Sequence, residues 1–370
     1  MFNNVYQGRR VLVTGHTGFK GSWLTAWLLS LGARVAGYSN GIPTQPAHFV
    51  VAGLGDRITD LRGDVRDRAQ LVGAVREFAP EIVFHLAAQA LVRASYDDPA
   101  GTFEANMLGT LNILEAVRAT PSVRAVVCIT SDKCYRNDEW VWGYGERDHL
   151  GGDDPYSASK GCAEIIAHSY FTSFFKNGPA CATTRAGNVI GGGDWAADRI
   201  VPDCARAWAE GNPVQIRSPW ATRPWQHVLE PLSGYLWLGA ELFAGRQEPF
   251  PLSGEAYNFG PAADVNNTVA EVVDALAVHW PGFSGVMDRD GQAGRKECTL
   301  LKLCCDKALA CLRWKATLTF EETIRYTAEW YRAFYRPEGS KVPQDMLAFT
   351  LGQIAAYVTV AEHRGLAWTK

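Results

Sequence analysis

A chain of 370 residues with a formal net charge of −3 is too long for one small core and carries no basic excess. One large α/β domain or two lobes sharing a cleft is expected, and the composition speaks against a nucleic-acid partner. Nine cysteines stand at irregular spacings without a C-x-x-C pair, which reads as reduced thiols in a cytoplasmic protein rather than a disulfide framework or a metal site. "MFNNVYQGRR" lacks the apolar core of a signal peptide and no run of eighteen apolar residues occurs, so no membrane association is expected.

In chain order, short β-branched runs alternate with segments of helical period, the pattern of repeated βαβ units and a parallel sheet. Strands are expected at 9–15, 33–38, 57–64, 81–88, 124–131 and 180–188. After the first, Trp23, Leu24, Trp27, Leu28 and Leu31 recur at helical spacing, and Gly32 supplies a left-handed stop. After the fifth, "DDPYSASKGCAEIIAHSY" opens a helix running from about 153 to 176, with aspartates able to cap and Pro155 in the first turn. Beyond about residue 188 the rhythm loosens into Gly-, Pro- and Trp-rich stretches, which suggests a less regular lobe. The last thirty or so residues read as an amphipathic helix.

"TGHTGFKG" places Gly15, Gly18 and Gly21 at G-x-x-G-x-x-G spacing between the first strand and the first helix. Glycines suit a sharp turn, a close approach of backbone to a pyrophosphate and tight helix packing, with the helix N-terminus facing the phosphates. A dinucleotide site is expected here. The second strand ends "AGYSN" without the usual acid, and no neighbouring arginine takes its place, so NAD rather than NADP is the expected cofactor. Asp64, after the third strand, can meet the adenine edge or simply cap the next helix. Tyr156 and Lys160 in "YSASK" lie four apart on one helical face, where the Lys160 ammonium favours the ionised Tyr156 phenol as a base.

The glycine turn, "HLAAQ" (His85 to Gln89), Asn106, "TSD" at the end of strand five and "YSASK" together resemble the extended short-chain dehydrogenase/reductase family over essentially the whole chain. Within it, "ITSDKCY", "RAGNVIGGGDWAADRIVPD" and "RPWQHVLEPLSGYL" resemble the branch of 4,6-dehydratases that act on CDP-glucose. The resemblance implies a Rossmann-like doubly wound parallel sheet with a smaller, partly interleaved α/β lobe. The NAD-binding domain would comprise 1–187 plus roughly 223–254, and the nucleotide-sugar lobe 188–222 and roughly 255–370.

It further implies NAD contacts from Gly15, His16, Gly18, Phe19, Lys20, Gly21, Asp64, Val65, Leu86, Ala87, Ala88, Gln89, Asn106 and Thr130, together with Tyr156 and Lys160. Substrate contacts would come from Asn188, Arg199, Arg223 and His227, with His227 equally readable as a structural histidine. Ser131 would hold the sugar 4-oxygen, Tyr156 would take its proton, Lys133 would act as base at carbon 5 and Asp132 as acid at the 6-hydroxyl. No metal is implied. Helices at about 99–119 and 153–176 resemble those that pair subunits in the family, implying a homodimer or dimer of dimers. Cys304 and Lys296 depart from the family pattern, which has an aspartate and often a histidine there. Other readings are a dehydratase for a dTDP or GDP sugar, a 4-epimerase, or an NAD-binding sensor.

Overall fold

The structure, a computed structural model, describes residues 1–246, 250–280, 285–287, 300–335 and 345–370. Its centre is a sheet in which β1 (Arg10–Thr14), β2 (Arg34–Ser39), β3 (Thr59–Arg62), β4 (Ile82–His85), β5 (Ala125–Ile129) and β6 (Ala180–Ala186) are joined by a seventh strand, Glu255–Phe259. All neighbours are parallel, in the order (255–259)-β6-β5-β4-β1-β2-β3. The six expected strands are present. The seventh starts just past the approximate boundary drawn at residue 254, beside β6.

Successive residues along each strand go to opposite faces of the sheet. Val11 and Val13 of β1, with Ala125, Val127 and Ile129 of β5, enter one core, whereas Leu12, Val126 and Cys128 enter the other. This two-sided burial is why the central strands β1, β4 and β5 read as continuous apolar runs. The first-half helices are α1 (Phe19–Ser30), a short α2 (His48–Val51), α3 (Arg68–Phe78), α4 (Val92–Asp97), α5 (Pro99–Phe103), α6 (Gly109–Arg118) and α7 (Pro155–Ser173). Leu71 and Val75 of α3, Ile113, Leu114 and Val117 of α6 and Phe171 of α7 cover one face.

The second half supplies α8 (Ile200–Ala209), α9 (Leu229–Ala244), α10 (Val269–Ala277), α11 (Asp306–Leu312), α12 (Phe320–Phe334) and α13 (Met346–His363). α9 runs beneath the central sheet, with nearly every residue buried, and shares with α1 the core that Val11, Val13 and Val127 enter. Two-residue strand pairs, 189–190 with 226–227 and 222–223 with 267–268, build the lobe over the carboxyl ends of the strands. The C-terminal segment is helical, as read, and packs on α1: Tyr357 meets Trp27 edge-on, with ring centroids 5.8 Å apart.

Candidate active site

The strand order reverses between β1 and β4, and the crevice outside the carboxyl ends at such a point is where doubly wound sheets bind ligands. Gly15 closes β1 with φ +72°, and a side chain there would put Cβ 2.8 Å from the Ala87 nitrogen, against the loop following β4. At Gly21 a Cβ would lie 2.1 Å from the Gly15 carbonyl oxygen. Backbone alone fits at both places. α1 then begins with no side-chain cap and no acidic residue in its first turn, leaving its N-terminal amides facing the crevice. Amides so placed suit a dinucleotide pyrophosphate.

Around this turn the expected cofactor residues divide. Leu86, Ala87, Ala88 and Gln89 form the loop opposite Gly15, tied down by the Ala87 amide donating to Thr14 Oγ1 at 3.2 Å. The Phe19 ring closes toward Gly191, where a Cβ would stand 3.2 Å from it. Asp64 is held by Arg66 at 2.8 Å and by Asn40, which lies just past β2, at 3.3 Å. Those partners keep its carboxyl down at about 2. Val65 is buried against Gly109.

Three of these residues turn their side chains away from the crevice. The His16 ring is wholly buried beneath Gly37, with Nε2 2.9 Å from Asp60 Oδ1. Asn106 is equally closed: it accepts from the Gln89 amide at 2.8 Å and donates to the Gln89 carbonyl at 3.0 Å and to Ser159 Oγ at 2.9 Å. It clamps the β4 loop to α7. It sits in a π-turn, Glu104–Leu108, a local widening that helical periodicity does not reveal. The Thr130 hydroxyl turns inward to Glu164 and the Thr184 carbonyl.

β5 ends at Ile129, and Ser131 caps a single 3-10 turn, Asp132–Cys134, by accepting from the Lys133 amide at 3.2 Å. The Ser131 hydroxyl donates to Asp132 Oδ1 at 2.9 Å. Asp132 is 4% exposed, and burial raises its pKa against the opposing charges of Lys133 and Lys20. Space for it is left by Gly187, where a Cβ would fall 3.1 Å from Asp132 Oδ2, and that glycine precedes Asn188.

α7 starts where the sequence indicates. Asp154 caps it by accepting from the Ser157 amide at 2.9 Å, Pro155 is its first residue, and the Tyr156 amide donates to Ser95 Oγ at 3.2 Å. Tyr156 and Lys160 therefore share a buried face one turn apart. The Tyr156 pKa departs from expectation. Burial pushes the phenol up to about 12, and the foremost opposing influences are a hydrogen bond with Ser131 and the charge of Arg199, not Lys160. Lys160 is itself pushed down to about 8 by burial and by Lys20.

From the lobe, Arg199 reaches the same place. Its guanidinium is 2.7 Å from the buried Asp194 and acts on both Tyr156 and Lys20. Lys20, on the first turn of α1, faces Arg199, Asp132 and Asp194, and burial lowers its pKa to about 8. It therefore points at the reacting end rather than lying only along the phosphate turn. Arg223 lies on the 222–223 strand pairing with 267–268, and its guanidinium donates to the Thr222 carbonyl at 2.8 Å. His227 is wholly buried, meets Trp23 and Tyr326 edge-on and accepts from the Leu229 amide, which supports the structural one of its two readings. Cys304 precedes α11, whose N-cap residue Cys305 makes no side-chain capping hydrogen bond. Lys296 lies outside the described residues.

The Glu164–Arg185 pair beneath the site escaped sequence reading, although Glu164 stands one helical turn beyond Lys160. Asp194, inside "GGGDWAADR", was also passed over.

Comparison with known proteins agrees with this geometry. A family model described as GDP-mannose 4,6 dehydratase matches residues 12–327. The CDP-glucose 4,6-dehydratase of Salmonella typhimurium is 45% identical over 362 residues, covering 96% of this chain and 98% of that protein. A solved UDP-glucose 4-epimerase of Thermus thermophilus in complex with NAD is 28% identical with a TM-score of 0.70, covering 87% of this chain and 99% of that one. The dTDP-glucose 4,6-dehydratase of Bacillus anthracis in complex with NAD, 21% identical, shares the fold with a TM-score of 0.71, covering 88% of this chain and 97% of that one. With a family model matching residues 12–327 and a relative 45% identical over 96% of the chain, it belongs to the GDP-mannose 4,6 dehydratase family.

Proposed function

We propose that this chain is an NAD-retaining 4,6-dehydratase that converts CDP-D-glucose to CDP-4-dehydro-6-deoxy-D-glucose and water. The observation that carries the reading is the side-by-side Ser131, Asp132 and Lys133 at the end of β5, facing Tyr156. Oxidation of an alcohol needs only the hydroxyl and the phenol; a carboxyl and an amine beside them suit a subsequent elimination. The preference for CDP-glucose rests on the Salmonella relative alone.

The Gly15–Gly21 turn and the α1 amides would hold the pyrophosphate, with the loop from Leu86 to Gln89 opposite. When bound, NAD supplies a hydride acceptor at carbon 4 and a hydride donor at carbon 6 of the sugar. Tyr156 takes the 4-hydroxyl proton while Ser131 holds that oxygen. The 4-ketone acidifies the proton on carbon 5, which Lys133 removes. Asp132, whose protonated form burial favours, gives its proton to the 6-hydroxyl, and water leaves. Lys133 then returns a proton to carbon 5. Arg199, freed from Asp194 by a polyanion, suits the nucleotide diphosphate because its planar donors bind oxygens in pairs.

The same reading places the chain in the cytoplasm, in keeping with the free thiols among the described cysteines. Among the described residues no helix is long and apolar enough to cross a membrane. It also pairs two copies through the α5–α6 segment and α7, where Leu108 and Ile165 are exposed apolar residues at 40% and 60%.

Mass spectrometry of the purified protein with CDP-glucose, dTDP-glucose, UDP-glucose and GDP-mannose in turn tests the reading. Loss of one water from CDP-glucose alone, without net accumulation of reduced cofactor, is the expected result. An unchanged mass with altered configuration would replace it with an epimerase, and no reaction with any of the four would leave an NAD-binding protein.

A further inference from the structure

Following the protons through one catalytic cycle exposes a requirement that the roles above leave unmet. This step rests on the dehydratase reading. Tyr156 gains the proton of the 4-hydroxyl. Asp132 gives one to the departing 6-hydroxyl, which leaves as water. Lys133 takes the carbon-5 proton and returns it, and the hydride lost from carbon 4 reappears on carbon 6. Substrate and cofactor balance, but the protein does not: Tyr156 ends one proton richer and Asp132 one proton poorer. The next turnover cannot begin until one proton has moved from the phenol to the carboxylate.

One hydroxyl connects the two groups. Ser131 Oγ donates to Asp132 Oδ1 at 2.9 Å, and the same side chain is the foremost influence lowering the pKa of the Tyr156 phenol beside it. The backbone fixes this serine in place, since its oxygen accepts from the Lys133 amide at 3.2 Å and thereby caps the turn that carries Asp132. Tyr156 and Ser131 are each 8% exposed and Asp132 4%, so water has little access even without a substrate lying over them.

We propose that Ser131 is the proton relay that resets the enzyme. The phenol passes its proton to Ser131 Oγ as Ser131 passes its own to Asp132 Oδ1, so one O–H bond breaks and one forms at each end and the serine is unchanged. A hydroxyl is suited to this because it donates and accepts at once. Burial raises the proton affinity of both groups, and at the phenol Ser131 and Arg199 act against that rise.

The relay differs from a serine that merely holds the 4-oxygen in when its loss is felt. Rapid-quench kinetics with CDP-glucose on the NAD-loaded enzyme separate the first turnover from later ones. In Ser131→Ala, loss of the grip on the 4-oxygen slows every turnover, but later turnovers are expected to slow by about a further tenfold or more, the scale of one lost proton-transfer group. Added imidazole should quicken those later turnovers and not the first. Ser131→Thr, which keeps the hydroxyl, should restore the ratio of first to later rates without imidazole. In the unaltered protein the steady-state rate should be independent of buffer concentration.

Equal slowing of first and later turnovers in Ser131→Ala would overturn the relay and leave a holding role. So would a buffer-dependent rate in the unaltered protein, which would mean that solvent or Lys20 reloads Asp132. A protein that removes no water from CDP-glucose at all fails at the earlier step, and that result overturns the dehydratase reading together with the relay.

Discussion

Arg185 and Glu164 form a two-pronged ion pair with both side chains buried, Nε to Oε1 and Nη2 to Oε2 each at 2.9 Å. Thr183 adds a hydrogen bond to the carboxylate at 2.7 Å, and Arg185 also donates to the Tyr135 hydroxyl at 2.7 Å. Glu164 lies on α7 one turn from Lys160, and Tyr135 lies two residues from Lys133. The pair thus joins the helix that carries Tyr156 to the turn that carries Asp132.

Breaking the pair from one side should be costly, because the remaining charge has no partner and little water. Arg185→Met is expected to lower stability by roughly 3–5 kcal/mol, measured by urea unfolding, whereas Arg185→Met with Glu164→Leu should regain much of it. If the single variant unfolds at the same urea concentration as the parent, the carboxylate is better solvated than its burial implies.

Asp132→Asn should separate elimination from oxidation. The amide keeps the shape but cannot protonate a leaving hydroxyl, so water loss is expected to fall roughly 10²–10⁴-fold. Oxidation at carbon 4 should continue, seen as reduced-nicotinamide absorbance that rises and does not decay. Equal loss of both steps would remove Asp132 from the acid role.

His48, His85 and His227 are all deeply buried, and burial lowers each pKa to about 3. An unfolded histidine titrates near 6.5, so between about pH 6.5 and 3 the unfolded chain binds protons that the folded one refuses. Stability from these groups is full above 6.5 and lost as pH falls, by about 1.4 kcal/mol per pH unit for each histidine. Replacing His227 with phenylalanine should flatten the acid limb of a pH–stability curve. An unchanged slope would show that His227 is protonated in the folded protein.

Gly21→Ala tests the turn. A methyl 2.1 Å from the Gly15 carbonyl oxygen forces the turn and α1 apart, so a cost of about 1–3 kcal/mol is expected together with weaker NAD binding by calorimetry. Retention of full cofactor affinity would mean that the turn is not where the pyrophosphate sits.

What the sequence made legible follows from which interactions are local. The strands could be read because burial on both faces leaves unbroken apolar runs, and α7 because Asp154, Pro155 and the Tyr156–Lys160 spacing all lie within one helix. The strand at 255–259 joins β6 after a long excursion through the lobe, and nothing local marks its destination. The directions of the His16 and His227 rings were hidden for a similar reason. Each sits in a functional motif, yet the ring's direction is decided by distant partners, Asp60 and Gly37 for one, Trp23 and Tyr326 for the other. Glu164 and Arg185 lie twenty-one residues apart, so each alone looked like an ordinary polar residue.

The packing of α13 on α1 also bears on the order in which the molecule matures. α1 carries the phosphate-facing amides at its start, and its far end buries Trp27 against Tyr357. His48 beside it shares a hydrogen bond of 3.0 Å with Thr350. While the chain is being synthesised, the nucleotide crevice is complete in sequence after the first half, but the back of the helix that forms it stays wet until residues 346–363 have left the ribosome. A nascent chain halted before α13 should therefore expose Trp27 to quenchers and retain NAD poorly.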